Sequence, residues 1–195
     1  MLLTHMRQRL LLASTFEHAI HIILDDVIAL HGAEFGNVQL PIGDELAIVA
    51  QRGLSAEFLA LFRRVRASDG CACGRALRLG EMVVIPDVEK DPEFAAFLTD
   101  AKRAGFRAVQ STPFRTADGR LLGVVSTHFA QVHQPTPIET QALKTYGTIA
   151  AEHALRLVGG ADLTAKAEDM SEALYARIIG PGSTHPAAGR LDAAT

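Results

Sequence analysis

An α+β fold, one antiparallel sheet with helices on its faces, is predicted by three observations on the 195-residue sequence. Two pairs of β-type runs are each joined by a short turn sequence, which makes the paired strands antiparallel neighbours. Helical periodicities with capping residues precede, separate and follow these pairs. The strands do not alternate one for one with helices, which excludes a parallel doubly wound sheet.

The first element of the domain is a helix over 14–31. Phe16, Ile20, Ile23, Leu24, Val27 and Ile28 recur at three- and four-residue steps, Ser14 and Glu17 have capping-box spacing, and Gly32 stops it. Residues 1–13 read as a separate helical extension, and Leu2, Leu3, Met6, Leu10, Leu11 and Leu12 give it the apolar character of a partner surface. Strands over 35–40 and 45–51 flank a turn at Pro41-Ile42-Gly43-Asp44. Ser55 opens an amphipathic helix whose apolar side is Phe58, Leu59, Leu61, Phe62 and Val65, with Arg63, Arg64 and Arg66 in solvent. A further helical turn over 71–79 leads into a buried strand, Met82 to Ile85.

Asp91-Pro92-Glu93 is a helix start, because Asp caps free N–H groups and Pro at the first position has no N–H to leave unpaired; that helix runs to Arg103 and ends at Gly105. The second hairpin, 107–115 with 121–130, turns at Asp118-Gly119. Thr136-Pro137-Ile138-Glu139 then caps a long helix with Ile138, Leu143, Tyr146, Ile149, Ala150 and Leu157 on one face. After residue 158 come a weaker helix over 163–178 and, from Gly180-Pro181-Gly182-Ser183, a disordered tail.

Composition narrows the function classes. Nineteen basic against 22 acidic side chains, a net charge of −3, give no broad positive field for nucleic acid. Thr4, His5, Arg7, Gln8 and Arg9 interrupt the apolar N-terminus, so it is neither a secretion signal nor a membrane span. Two cysteines one residue apart, Cys71 and Cys73, make no disulfide framework. A cytoplasmic protein is expected.

From about Asn37 to Arg156 the chain resembles a GAF domain. The likeness is carried by Leu46-Ala-Ile-Val-Ala-Gln-Arg-Gly53, Cys73-Gly74-Arg75-Ala76-Leu77, Ile85-Pro-Asp-Val88, Gly105-Phe-Arg-Ala-Val-Gln-Ser-Thr-Pro-Phe114 and Asp118-Gly-Arg-Leu-Leu-Gly-Val-Val-Ser-Thr-His-Phe129. The resemblance implies a GAF/PAS-like central sheet of five or six antiparallel strands, with the first and last long helices packed on one face and a small-molecule pocket on the other. The domain is then 14–158, between an extension of 1–13 and a C-terminal helix and tail of 159–195. Such domains signal by homodimerising through the helix layer or by acting on a partner such as a histidine kinase. The roughly forty residues after the matched helix are too few for a kinase, cyclase or nucleic-acid-binding output, so output is expected from a partner, or the chain is a fragment of a protein that carries it.

Hairpin arithmetic selects the candidate site. With a turn at Asp118-Gly119, partners sum to 237, and Val109, Ser111, Val124, Ser126 and His128 share one sheet face. Gln110, Thr112, Val125, Thr127 and Phe129 share the other. Buried polar groups need partners, and an imidazole beside two hydroxyls can bind a polar head group, so the Val109, Ser111, Ser126, His128 set is taken to line the pocket with Cys73, Phe94 and Phe97. The residues leave a second role open for His128, a hydrogen bond into the helix layer, and for Phe94 and Phe97, sealing the core. Zinc needs four ligands and Cys-x-Cys supplies two, so no metal site is assigned and structural cysteines are expected.

Cofactor identity is left unknown. Haem has His128 alone as an axial candidate, and the chromophore cysteine followed by His of bilin-binding relatives is missing from 91–103, so neither is supported. Arg107 with Ser111 and Ser126 offers donors for a cyclic nucleotide. Free methionine-(R)-sulfoxide reductase, a GAF-fold enzyme, has a Cys-Gly similar to Cys73-Gly74, but its downstream catalytic cysteine has no counterpart in 101–111. A non-enzymatic sensor is the expectation, with the reductase or a ligand-free dimerisation module as alternatives.

Overall fold

The computed structural model describes residues 2–159 and 161–179; the predicted disordered tail lies outside these residues. Strands β1 (Phe35–Ile42), β2 (Glu45–Arg52), β3 (Arg64–Arg66), β4 (Val83–Ile85), β5 (Ala108–Arg115) and β6 (Leu121–Phe129) form one antiparallel sheet in the order β3-β2-β1-β6-β5-β4. The two hairpins are joined edge to edge by β1 and β6, so chain segments far apart in sequence meet at the sheet centre. Asn37 lies opposite Ser126, which in turn lies opposite Ser111.

The second hairpin keeps the predicted register from Ala108↔Phe129 to Phe114↔Gly123, and an irregularity after Phe114 absorbs a turn wider than two residues. The first hairpin turns more tightly than predicted. Ile42 pairs with Glu45, leaving Gly43-Asp44 as the turn with Gly43 at φ 61°, while Pro41 belongs to the strand. Between Val38 and Gln39 the register slips, because β2 carries an extra residue opposite them. Val49 and Ala50 consequently both face the helices, while Ile48 faces the other side.

Helices α1 (Leu2–Leu11), α2 (Phe16–His31) and α6 (Pro137–Val158) lie on one side of the sheet. α2 starts at Thr15, not Ser14: the Thr15 hydroxyl accepts from the His18 N–H, and Gly32 ends the helix in the left-handed conformation. The Thr136 and Glu139 capping box of α6 forms as predicted. Ile138 is the exception on that face, 81% exposed, because it stands in the first turn before the helix reaches the sheet. Met6 and Leu10 bury α1 against α2 and α6, and Leu2, Leu11 and Leu12 remain exposed.

One buried carboxylate joins these helices. Asp26 of α2 accepts from the Tyr146 hydroxyl of α6 at 2.7 Å and from Arg9 of α1 at 2.6 Å. Helix α7 (Leu163–Ile179) packs along β2 and β1. Its Ala167 and Met170 enter the helix-side core, while Leu174 and Tyr175 enter the core on the other side.

That other side is roofed by α3 (Ala56–Leu61), α4 (Ala72–Leu79), a 3-10 turn (Pro92–Phe97) and α5 (Leu98–Ala104). Arg64-Val65-Arg66, predicted as the end of the α3 helix, is instead edge strand β3. Only Val65 of the three is buried, the period-2 pattern of a strand. Asp91 caps the 3-10 turn by accepting from the Phe94 N–H, and Gly105 terminates α5 at φ 82°.

Candidate functional site

Between the sheet and this roof lies a cavity of about 20 Å³. Its floor is Asn37 and Gln39 of β1, Val109 and Ser111 of β5, and Ser126 and His128 of β6; its roof is Phe58, Phe62, Phe94 and Phe106, with Cys71, Ala72 and Cys73 at the start of α4. Cys73, Phe94, Val109, Ser111, Ser126 and His128 are thus brought together around one cavity. Phe97 is not among the lining residues: it sits behind the roof, 5.5 Å from Phe62 and 5.7 Å from Phe94 between ring centres, and seals the core. Arg107 is also elsewhere, held by both oxygens of Asp87 at 3.1 Å.

Residues that the sequence reading missed complete the site, above all Asn37 and Gln39. The signal was there in Asn37-Val38-Gln39-Leu40, where polar and apolar residues alternate, so that the polar pair shares a face. Val38 and Leu40 enter the helix-side core, and the two amides point to the cavity.

The floor is polar and only partly paired. The Ser111 and Ser126 hydroxyls hydrogen-bond each other at 2.8 Å. Among the described residues, Asn37 Oδ1, Gln39 Oε1 and His128 Nδ1 are buried without a hydrogen-bond partner. His128 makes no bond into the helix layer; it stands edge-on between Phe106 and Phe58, at 4.7 and 5.4 Å between ring centres. Burial among these rings lowers its pKa to about 3, so the imidazole is neutral. The residue that bonds across the helix side is His31, whose Nδ1 lies 3.2 Å from the Thr127 hydroxyl.

The start of α4 is held tightly. Arg75 reaches Asp91 at 2.8 Å, and a Cβ on Gly74 would come within 2.6 Å of the Arg66 and Asp69 carbonyl oxygens. This seat carries Cys71 and Cys73 to the cavity wall, where their sulfurs lie 3.5 Å apart. Both are free cysteines. Among the described lining residues none is formally charged.

The family profile of the GAF domain matches residues 13–153. The chain belongs to the GAF domain family. The GAF domain of a phosphoenolpyruvate-protein phosphotransferase from Coxiella burnetii has the same fold, with a TM-score of 0.67 and 16% identity over 80% of this chain and 91% of its own. A free methionine-R-sulfoxide reductase from Neisseria meningitidis, solved with its substrate, gives 0.62 at 18% identity, over 85% of this chain and 89% of its own. The chromophore-binding domain of a bacteriophytochrome from R. palustris gives 0.61 at 18% identity; 80% of this chain is covered, and the match spans 61% of that longer one. No curated protein sequence matches the chain. Domains of this family are typically sensory or regulatory, and among the described residues no helix is long and apolar enough to cross a membrane.

Proposed function

We propose that this GAF domain is a non-catalytic cytoplasmic sensor that takes a small, uncharged polar molecule between the sheet and the α3–α4 roof. The observation that carries the reading is the set of orphaned polar atoms, the acceptors Asn37 Oδ1 and Gln39 Oε1 together with His128 Nδ1, around one cavity. A buried polar group without a partner costs roughly 1–3 kcal/mol, and a donor-bearing ligand recovers that cost. The uncharged lining favours a neutral molecule, because an ion would be desolvated without a counter-charge.

At about 20 Å³ the cavity has room for one water, so a larger ligand enters by lifting Phe58 and Phe62 with α3. That movement is passed to a second copy through α2 and α6, or to a signalling partner such as a histidine kinase. Residues 101–111 hold no cysteine to act as the downstream nucleophile of a reductase.

The test is native mass spectrometry of the protein as purified, with the denatured sample and an absorption spectrum alongside. Support is a mass excess lost on denaturation, or a thermal shift of ~5–10 °C when a neutral amide, lactam or nucleobase is present at about a hundred times its dissociation constant. An apo protein that no such compound stabilises overturns the reading.

A further inference from the structure

Cys71 and Cys73 have no part in the sensor reading beyond forming wall, yet they are the nucleophilic pair nearest the orphaned acceptors. We propose that they form a peroxide-responsive dithiol, in which hydrogen peroxide entering the cavity converts the two thiols to a Cys71–Cys73 disulfide. The inference rests on the same cavity being open to small neutral molecules.

Three features carry it. The sulfurs are 3.5 Å apart in the reduced protein, and a disulfide needs about 2.05 Å, so closing the bond takes ~1.5 Å of movement. Two residues of chain separate the Cα atoms by at most ~7 Å, the upper edge of disulfide reach. The cavity also suits the oxidant. Hydrogen peroxide is neutral, little larger than water and carries two O–H donors, and the cavity of about 20 Å³ offers Asn37 Oδ1 and Gln39 Oε1 as unused acceptors, with the unpartnered His128 Nδ1 beside them.

The geometry also divides the roles. Cys73 is the attacking sulfur: the hydrogen bond from Cys71 holds its pKa below the ordinary thiol value, and the Gln39 side chain and the Gly74 backbone N–H add to this against the opposing effect of burial. Cys71 is pushed the other way and stays protonated. The Cys73 thiolate attacks one peroxide oxygen, the O–O bond breaks, and the departing hydroxide takes up the proton released by Cys73, leaving a sulfenic acid and water. The Cys71 sulfur then attacks the Cys73 sulfur. The S–O bond breaks, the S–S bond forms, and the Cys71 proton leaves with the hydroxyl as a second water. The sum is two thiols and one peroxide giving one disulfide and two waters.

The experiment treats the folded chain with hydrogen peroxide, quenches with an alkylating agent and follows the tryptic peptide Ala67–Arg75, which holds both cysteines. The expected result is loss of two hydrogens and of both alkylation sites, reversed by dithiothreitol, at a rate at least ~10-fold above that of the chain unfolded in guanidinium. Cys71→Ser, which lacks the resolving thiol, accumulates a dimedone adduct at Cys73. Oxidation of the folded wild-type chain no faster than the unfolded one overturns the proposal without any variant. Binding of neutral compounds by the Cys71→Ser/Cys73→Ser protein separates the readings: a ligand that still binds there, beside a peroxide-inert wild type, leaves the sensor standing and removes the dithiol.

Discussion

Tyr146→Phe is expected to destabilise the protein by about 2 kcal/mol although it deletes a single oxygen. The hydroxyl donates to Asp26 Oδ2 at 2.7 Å, and the Asp26 side chain is 1% exposed, so water cannot replace the lost donor. Hydrogen bonds to a charged group contribute roughly 1.5–3 kcal/mol, and here the bond joins α2 to α6. For a chain of this length that loss lowers Tm by ~4–8 °C. The other partner, Arg9, has a side chain 40% exposed, so Arg9→Ala should cost only about 1 kcal/mol. Because both donors serve one carboxylate, the double variant should depart from additivity by ~0.5 kcal/mol or more.

The pH dependence supplies an internal control. Burial raises the Asp26 pKa above its ordinary value, against the lowering effect of Tyr146 and Arg9. The stability linked to that raised pKa is present in full below the unfolded-state value and is lost as pH rises through the folded-state value. The penalty of Tyr146→Phe should accordingly grow from pH 4 toward pH 7, because the Tyr146 hydroxyl lowers the Asp26 pKa and so favours the charged carboxylate. Urea denaturation of the four proteins at both pH values reads all of these quantities. A Tyr146→Phe protein within about 0.5 kcal/mol of wild type at pH 7 would refute the assignment of Asp26 as the node joining the helices.

Two further predictions concern the sheet. Gly123→Ala places a Cβ 2.2 Å from the Gln39 carbonyl oxygen across the β1–β6 junction and should cost ~2–3 kcal/mol in chemical denaturation; a neutral effect would mean that the strands are spaced differently there. His128 and His31 have pKa values lowered by burial to about 3 and about 4 from an ordinary 6.5. Their stability contribution is complete above the unfolded value and is lost as pH falls toward the folded values, so His128→Gln should flatten the stability profile by up to ~1.4 kcal/mol per pH unit between about pH 6 and 4, and an unchanged slope would contradict a buried neutral imidazole.

The parts of the fold legible in the sequence are those specified locally. Thr136 and Glu139 lie three residues apart and bond each other, and the alternation of β5 and β6 puts Ser111, Ser126 and His128 onto one face, the irregularity after Phe114 restoring the register that a two-residue turn predicts. Alternation along β1 puts Gln39 on the same face as Asn37, but which residues that face meets depends on pairing with β6, some eighty residues later. Arg64-Val65-Arg66 was misread because a three-residue edge strand offers little periodicity beside the longer apolar run of α3. The orphaned acceptors were invisible for another reason. Whether an amide oxygen finds a partner is decided by where every neighbouring side chain ends up, and no spacing rule carries that.

Helix α7 has a practical consequence for anyone dividing this chain. It lies beyond residue 153, where the family match ends, yet the Tyr175 hydroxyl donates to the Leu59 carbonyl at 2.6 Å and Arg63 stacks over the Tyr175 ring. A fragment trimmed to the family boundary would keep the whole sheet and roof but strip the apolar cover from β1 and β2 and leave the Leu59 carbonyl without its donor. Its exposed sheet surface would invite aggregation, and its α3 would move more freely than in the longer chain. Binding or oxidation rates measured on such a fragment would describe a looser roof, and residues 163–179 need to be retained for them to describe this one.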